Sequence, residues 1–312
     1  MGYKKIFDSK GASRKDWLKV RKMGLGGSDM AAVLGVSQWA SPIDVWLDKT
    51  SDKVEEKESE AMYWGTVLED VVAKEFERRT GMKVRNNNFT LQSEEYPYLI
   101  ANIDREIVGV DSGLECKTAN AFLKGEWDDD KVPNNYYVQC QHYMAVTGRS
   151  SWWIAVLIGG NNFVYKEIPR DEKVIQAIIE VGREFWHLVE TKTMPAVDGS
   201  DACSNAIKSM FPTSNGESMI LDSSFEKTLI AWEQAKLDEQ EAKDRRSELE
   251  NAIKLEMGEN ESATLNDWKI TYKSSKPRES FDSKRFATDH PDMYTEYVKM
   301  GAAARPFKIV RK

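Results

Sequence analysis

Asn102-Ile103-Asp104-Arg105 and Gly113-Leu114-Glu115-Cys116-Lys117-Thr118 are the stretches on which the fold turns, and a helical pattern carrying Gln139-Cys140-Gln141 follows them. Leu99 to Ile103 and Gly113 to Thr118 read as strands, and Asn134 to Thr147 as a helix stopped by Gly148. Side chains alternate along a strand, so Glu115 and Lys117 leave the same face, while Asp104 ends the preceding strand. Two carboxylates and an ammonium gathered in this way can hold a divalent metal beside a phosphate. Phosphodiester hydrolysis needs an activated water, charge neutralisation and help for the leaving oxygen, and one or two Mg²⁺ ions supply all three, a pair standing about 3.5–4 Å apart. The carbonyl of Cys116 would complete the open, oxygen-rich set that magnesium prefers. Alone, Glu-x-Lys is a common pattern of exposed salt partners. Here it ends an apolar strand, follows an aspartate by eleven positions and precedes a helix bearing Gln139, and that combination points to chemistry. Asp111 is a competing carboxylate, but Gly109-Val110-Asp111-Ser112-Gly113 reads as a turn.

Outward from this centre, residues 14–22 read as a short amphipathic helix with Trp17, Leu18 and Val20. Gly24, Gly26 and Gly27 break it, and Ser28 is placed to cap a second helix over Asp29 to Leu34. The glycines lack a following GK[ST], so they form no Walker loop. Ser41-Pro42 with Asp44 starts a third helix. The charged run from Asp52 to Glu60 reads as a mobile loop. Met62 to Arg79 reads as a long helix ended by Gly81, with Leu68, Val72 and Phe76 as its apolar stripe. Glu69 lies on or beside that stripe, where a carboxylate needs a partner. Lys83 to Leu91 and Trp152 to Ile158 read as strands, the latter turned by Gly159-Gly160-Asn161-Asn162 into Phe163 to Ile168. Glu172 to Glu190 is a further amphipathic helix.

Pro195 to Gly216 is rich in small and polar residues and reads as a linker. Ser224 to Met257 then reads as one long helix, roughly 50 Å at 1.5 Å per residue. Ala263 to Lys273 and Pro306 to Val310 are expected as strands of a small terminal unit, with Phe281 to Lys299 helical between them. The expected organisation is a domain over 1–198, a linker over 199–222 and a carboxy-terminal unit over 223–312 that serves as a partner or oligomer contact.

The bulk numbers bound the classes. The chain has 312 residues, 41% of them hydrophobic, and a formal charge of −7. That total does not advertise a nucleic-acid binder, but distribution matters more than the sum. Lys4, Lys5, Lys10, Arg14, Lys15, Lys19, Arg21 and Lys22 crowd the start, and Lys308, Arg311 and Lys312 the end, while acid collects in Asp52 to Glu60, Glu126 to Asp130 and Glu233 to Glu261. No apolar run approaches the ~18 residues of a membrane span, and the polar, basic start has no apolar core of a secretory signal. Cys116, Cys140 and Cys203 form no CxxC pair, which favours reduced cytoplasmic thiols. His142, His187 and His290 are scattered; His142, beside Gln139 on its helix, is the one to watch. Trp39, Trp46, Trp127, Trp152 and Trp153 are candidates for the core, with a minority able to stack on an unpaired base.

These residues resemble a known family. Arg21 with Gly26-Gly27-Ser28-Asp29, Trp64-Gly65-Thr66-Val67-Leu68-Glu69, Asn102-Ile103-Asp104-Arg105, Leu114-Glu115-Cys116-Lys117 and Gln139-Cys140-Gln141-His142-Tyr143 are similar to the YqaJ-type viral recombinases, phage alkaline exonucleases related to the lambda exonuclease. The likeness covers roughly residues 14–195. It implies the α/β core of the PD-(D/E)xK nuclease superfamily, a central mixed sheet flanked by helices, here with a helical and small α+β extension. It implies Asp104, Glu115, the Cys116 carbonyl and Glu69 at a Mg²⁺ site that also accepts Mn²⁺, and Lys117 as the group that positions or activates the attacking water. Gln139 would orient the lysine or the water, and Arg21 and Ser28 would bind a terminal 5′-phosphate. The family's activity is 5′→3′ digestion of duplex DNA, commonly by a trimeric ring, leaving 3′ single strands for a phage annealing protein in the bacterial cytoplasm. Ile103 replaces the superfamily's proline, and Arg105 stands where many relatives have glycine. An endonuclease or resolvase on the same fold and a non-catalytic DNA-binding scaffold are the rival expectations. The iron–sulfur members need a cysteine quartet that three cysteines cannot supply, and a paired-carboxylate glycosidase has no use for Glu-x-Lys.

Overall fold

The apolar run of residues 152–158 is an interior strand of the main sheet, between its central strand and one edge. A computed structural model describes residues 2–54, 59–301 and 304–310. In chain order it runs β1 (Tyr3–Asp8), α1 (Arg14–Arg21), α2 (Gly27–Val33), α3 (Pro42–Thr50), α4 (Glu60–Thr80), β2 (Val84–Asn86), β3 (Phe89–Ser93), β4 (Ile100–Asn102), β5 (Arg105–Ile107) and β6 (Ser112–Ala119). A 3-10 helix (Ala121–Glu126) leads to α5 (Asn134–Thr147), β7 (Ser151–Ile158), β8 (Asn162–Pro169), α6 (Glu172–Glu190) and α7 (Asp201–Met210). Then come α8 (Glu226–Met257), β9 (Ser262–Leu265), β10 (Trp268–Thr271), α9 (Ser283–Asp289) and α10 (Pro291–Tyr297). The chain divides into two compact units, Met1–Pro212 and Thr213–Lys312.

In the first unit five strands form a mixed sheet in the order β2-β5-β6-β7-β8, and β1-β3-β4 form an antiparallel sheet of three. β6 and β7 are parallel, with Glu115 opposite Ile154 and Lys117 opposite Val156. A parallel pair needs a crossover, and the 3-10 helix and α5 provide it. β7 is covered on both faces, which is why it reads as continuously apolar. On one face Val72, Ala73 and Phe76 of α4 pack with Leu114, Cys116 and Ala155. Trp152, Ile154 and Val156 join the larger cluster with Val138 and Met144 of α5 and Ile175 and Ile178 of α6. Leu114 and Cys116 therefore face α4, and the alternating Glu115 and Lys117 face the α5 side.

Local chemistry sets the helix ends. The Ser59 hydroxyl accepts from the Met62 N–H to start α4 (3.2 Å), and Gly81, at a φ of +74°, ends it. Ser41 caps α3 with Pro42 at its first position, and Asp171 caps α6. Helix α5 is buried from Val138 to Thr147, so its polar side chains must find partners inside. Gln141 donates to the Pro169 carbonyl (2.8 Å) and accepts from the Asp171 N–H (2.9 Å). His142 donates from Nε2 to the Ile100 carbonyl (2.8 Å), which fixes its tautomer.

Several expectations need correction. α2 begins at Gly27 after Gly26, not at a Ser28 cap, because the Asp29 carboxylate takes the Gly26 N–H (2.9 Å). The expected strand over Lys83 to Leu91 is broken at Asn87-Asn88 and feeds two different sheets. β1 and β5 were not foreseen: β1 is half exposed and lysine-rich, and β5 has three residues. The expected linker contains α7, whose Cys203 and Ala206 pack on Ile43. Of the expected mobile loop, residues 55–58 lie outside the described residues, as do Arg311 and Lys312 of the basic carboxy terminus.

The second unit holds α8, exposed along nearly its whole length, and the antiparallel β9-β10 pair, which turns at Asn266 (φ +50°). The single strand expected over Ala263 to Lys273 is thus a hairpin. Pro306 to Val310 is not a strand, and Pro291 splits the expected helix into α9 and α10. No helix among the described residues is long and apolar enough to cross a membrane.

Burial pushes the His142 pKa down to about 4 from an ordinary 6.5. The unfolded chain therefore binds this proton more tightly. Stability should be intact above about pH 6.5 and fall as pH drops toward 4, by up to about 3 kcal/mol from this group. Urea unfolding at pH 7.5, 6 and 5 should show His142→Gln losing less stability on acidification than the parent. Parallel pH slopes for the two would show that the buried imidazole is not the proton acceptor.

Candidate active site

Asp104 occupies the link between β4 and β5, the point where the chain leaves the three-stranded sheet for the main one. β5 pairs with β6 only through Arg105–Leu114 and Glu106–Gly113. Beyond Leu114 the β6 edge is open on that side, and the Asp104 carboxylate closes it, Oδ2 accepting from the Cys116 N–H at 2.8 Å. One hydrogen bond thus fixes Asp104 against the strand that carries Glu115 and Lys117.

Lys117 Nζ lies 2.5 Å from Glu115 Oε1. Gln139 of α5 donates from Nε2 to the same oxygen (2.8 Å) and contacts the Tyr143 hydroxyl (2.6 Å). Glu115 is 2% exposed, and its other oxygen, Oε2, is buried without a hydrogen-bond partner. The Lys117 ammonium also stands 5.2 Å over the Tyr136 ring, which stacks on Trp127 (5.6 Å, 27°).

The electrostatics report excess negative charge. Burial, and then the charge of Glu115, push the Asp104 pKa up to about 7. Burial disfavours the Lys117 ammonium, but Glu115 and then Asp104 outweigh it and hold the group above the ordinary lysine range. Glu69 on α4 is also raised, by burial and then by Asp104. Arg105, 5% exposed along its side chain, offsets this charge: it pairs with Glu69, donates to the Asp104 carbonyl (2.8 Å) and reaches Asp70 (2.5 Å).

Asp104, Glu115, Lys117 and Glu69 line one cavity of about 870 Å³, together with Arg14, Trp17, Arg21, Trp39, Trp127 and Tyr136. Of the sequence candidates, Asp104, Glu115, Cys116, Lys117, Glu69 and Arg21 line it, and Gln139 stands behind Glu115. Ser28 is exposed and is not among the lining residues. Asp111 is at the far end of β6, accepting from the Ser150 N–H (3.1 Å). No group of three or more His, Cys, Asp or Glu side chains converges on a metal position among the described residues. The oxygen donors that meet here are the half-buried Asp104 and the buried Glu115 carboxylates. The orphaned Glu115 Oε2 and the raised Asp104 pKa fit a cation there, and a magnesium ion that keeps several waters requires no more protein ligands.

Sequence reasoning missed the supporting shell. Tyr143 follows Gln139 by four residues and so shares its helix face, a readable signal. Arg105 stood out only as a departure from the family pattern. Two lysines each take three main-chain carbonyls, and nothing in the sequence marks them. Lys22 donates to Asp48 (2.7 Å), Ser51 (2.9 Å) and Lys53 (2.7 Å) at the end of α3. Lys166 donates to Trp127 (2.8 Å), Lys131 (2.7 Å) and Asp129 beside the cavity wall.

The family model for the YqaJ-like viral recombinase domain matches residues 16–150. The chain is 40% identical over 302 residues to the uncharacterized protein YqaJ of Bacillus subtilis (strain 168), covering 95% of this chain and 94% of that one. Among solved structures, the alkaline exonuclease LHK-Exo from Laribacter hongkongensis aligns with a TM-score of 0.50 at 20% identity, over 57% of this chain and 93% of that one. Its complex with dAMP aligns equally well, with a TM-score of 0.50 at 21% identity. The shared architecture is the central mixed sheet flanked by helices.

Arg105 spans two carboxylates and a carbonyl with one planar fork, which an ammonium cannot reproduce. Arg105→Lys should therefore cost about 1–2 kcal/mol of stability although the charge is kept, read as a lowered urea midpoint at unchanged slope. An unchanged midpoint would mean that the fork geometry is immaterial.

Proposed function

The chain belongs to the YqaJ-like viral recombinase family, and we propose that it is a Mg²⁺-dependent deoxyribonuclease that digests duplex DNA from 5′ ends and leaves 3′ single strands for recombination by annealing. The observation that carries this reading is the meeting of Asp104, Glu115 and Lys117 in one cavity, with a Glu115 oxygen left unpartnered.

Asp104, Glu115 and the Cys116 carbonyl would hold the metal, with Glu69 at its edge. When bound, magnesium supplies the lowered water pKa and the charge neutralisation that phosphodiester hydrolysis requires. Lys117, whose ammonium Glu115 and Asp104 stabilise, would position or activate the attacking water and offset phosphate charge. Gln139 holds Glu115 in place from α5. Arg21, on the cavity wall with its guanidinium 5.0 Å over the Trp17 ring, is the cation for a terminal 5′-phosphate. Ser28, exposed at the start of α2 and outside the cavity lining, is the second residue that the family likeness offers for that phosphate. Contacts of this kind recognise backbone and end chemistry rather than base sequence.

Family membership also supports a homo-oligomeric ring, work beside a phage annealing protein and action in the bacterial cytoplasm. In this reading the region over 1–198 is the nuclease, and the region over 223–312 serves oligomer or partner contacts. A chain truncated after Pro212, which keeps α7 on the first unit, assayed for digestion and for assembly size, separates those two roles.

The decisive assay is digestion of end-labelled linear duplex with Mg²⁺ or EDTA, comparing 5′-phosphate with 5′-hydroxyl ends and with covalently closed circles. Digestion should need the metal, prefer the 5′-phosphate and spare closed circles; Lys117→Ala should abolish it while DNA binding persists. Cleavage of closed circles would turn the reading to an endonuclease, and normal digestion by Lys117→Ala would place the chemistry elsewhere.

A further inference from the structure

Four aromatic residues line the cavity: Trp17, Trp39, Trp127 and Tyr136. Three are engaged by the protein itself. Trp17 carries the Arg21 guanidinium on its ring and donates from Nε1 to Asn102 (3.4 Å). Trp127 and Tyr136 stack on one another, with Lys117 over the latter. Trp39 differs. The residue is 70% exposed, and no ring or cation packs on the indole among the described residues.

This exposure does not come from a loose segment. Gly35 turns the chain at φ +70°, and the N–H groups of Val36 and Ser37 both donate to the Ala31 carbonyl (3.0 and 3.1 Å). The Ser37 hydroxyl then accepts from the N–H groups of Trp39 (3.1 Å) and Ala40 (3.3 Å). Immediately afterwards Ser41 and Asp44 lock the start of α3. A tight turn on one side and a capped helix on the other hold a large apolar surface in water at the wall of a site that also contains Arg14, Arg21 and Lys117.

We infer that Trp39 is a stacking platform for an unpaired nucleobase at the DNA end. This deepens the nuclease reading and rests on it. Stacking suits an indole because every base has a π-face, and it costs no sequence selectivity. Inside a duplex both faces of a base are covered by its neighbours, so the indole can accept only a terminal or displaced base. A cavity of about 870 Å³ is also far larger than one phosphate needs. Trp39 thereby favours a frayed end, with the base on the indole and the backbone on the cations of the same wall.

The test uses a duplex with one unpaired 5′-terminal 2-aminopurine, bound in Mg²⁺ by the Lys117→Ala chain. Stacking on Trp39 should quench the probe. Adding Trp39→Ala should abolish the quenching and weaken binding about 5- to 150-fold, and adding Trp39→Phe should restore most of both. Circular dichroism of the exposed-site variants checks that each is folded. Equal quenching with and without Trp39, or none in the Lys117→Ala chain, overturns the inference while leaving the nuclease reading intact if the unsubstituted chain digests linear duplex. If that chain digests no DNA, the reading fails and this inference fails with it.

Discussion

The hydrogen bond from the Cys116 N–H to Asp104 is the constraint around which the site is organised. β5 is too short to cover β6 beyond Leu114, so the strand would otherwise present an unpaired N–H in a buried place. Asp104 satisfies it from the link between two sheets. The same carboxylate is thereby brought against the strand that carries Glu115 and Lys117. A longer β5 would pair that N–H with backbone and leave Asp104 no reason to point inward. The short strand, the exit from the first sheet and the position of the carboxylate are one structural fact.

Holding carboxylates together has an electrostatic cost, and the surrounding residues show how it is met. Asp104 and Glu69 are both pushed toward their neutral forms by burial and by their acidic neighbours. Lys117 and Arg105 oppose this from opposite sides, Lys117 on Glu115 and Arg105 on Glu69. In this chain Glu69 is held by a guanidinium from the residue next to Asp104, so the acidic edge of the cavity is balanced within the protein. Glu115 Oε2 is buried and meets no hydrogen-bond donor among the described residues. On the nuclease reading, Asp104 and Glu115 would hold a divalent cation, and its charge would complete the balance.

The legible part of this chain was the part governed by periodicity and end signals. Residues 152–158, α4 with its Gly81 stop and α6 followed from patterns that the local sequence carries. The strand parity that puts Glu115 and Lys117 on one face was equally readable, and Gln139 could be placed on α5 before its partner was known. What escaped depended on tertiary context. β1 has too few apolar residues to announce a strand and exists because β3 offers it an edge. α7 lies in a stretch of small and polar residues and is helical where Cys203 and Ala206 find Ile43. Ser28 was read as a cap because serine favours that position, yet Asp29 reached the Gly26 N–H instead while pairing with the buried ammonium of Lys49 (2.7 Å). The carbonyl-bound lysines Lys22 and Lys166 look like any surface lysines in a linear sequence.

Helix α5 explains why such distant segments act as one site. Its buried polar side chains each tie it to a different element: Gln139 to β6, Gln141 to the junction of β8 and α6, His142 to β4. A buried amide or imidazole left unpartnered costs about 1–3 kcal/mol, so each tie resists displacement of the helix. α2 lies so close to α5 that a Cβ on Gly27 would come within 2.8 Å of Gln139 Cγ and 3.2 Å of its carbonyl. Only glycine permits that approach, and it sets the start of α2 directly against the side chain that holds Glu115. Any shift of α2, on which Ser28 and Asp29 sit, must therefore be felt by Gln139 and through it by the central carboxylate. On the nuclease reading, the region that would meet the DNA end and the region that would cut it are mechanically joined at Gly27.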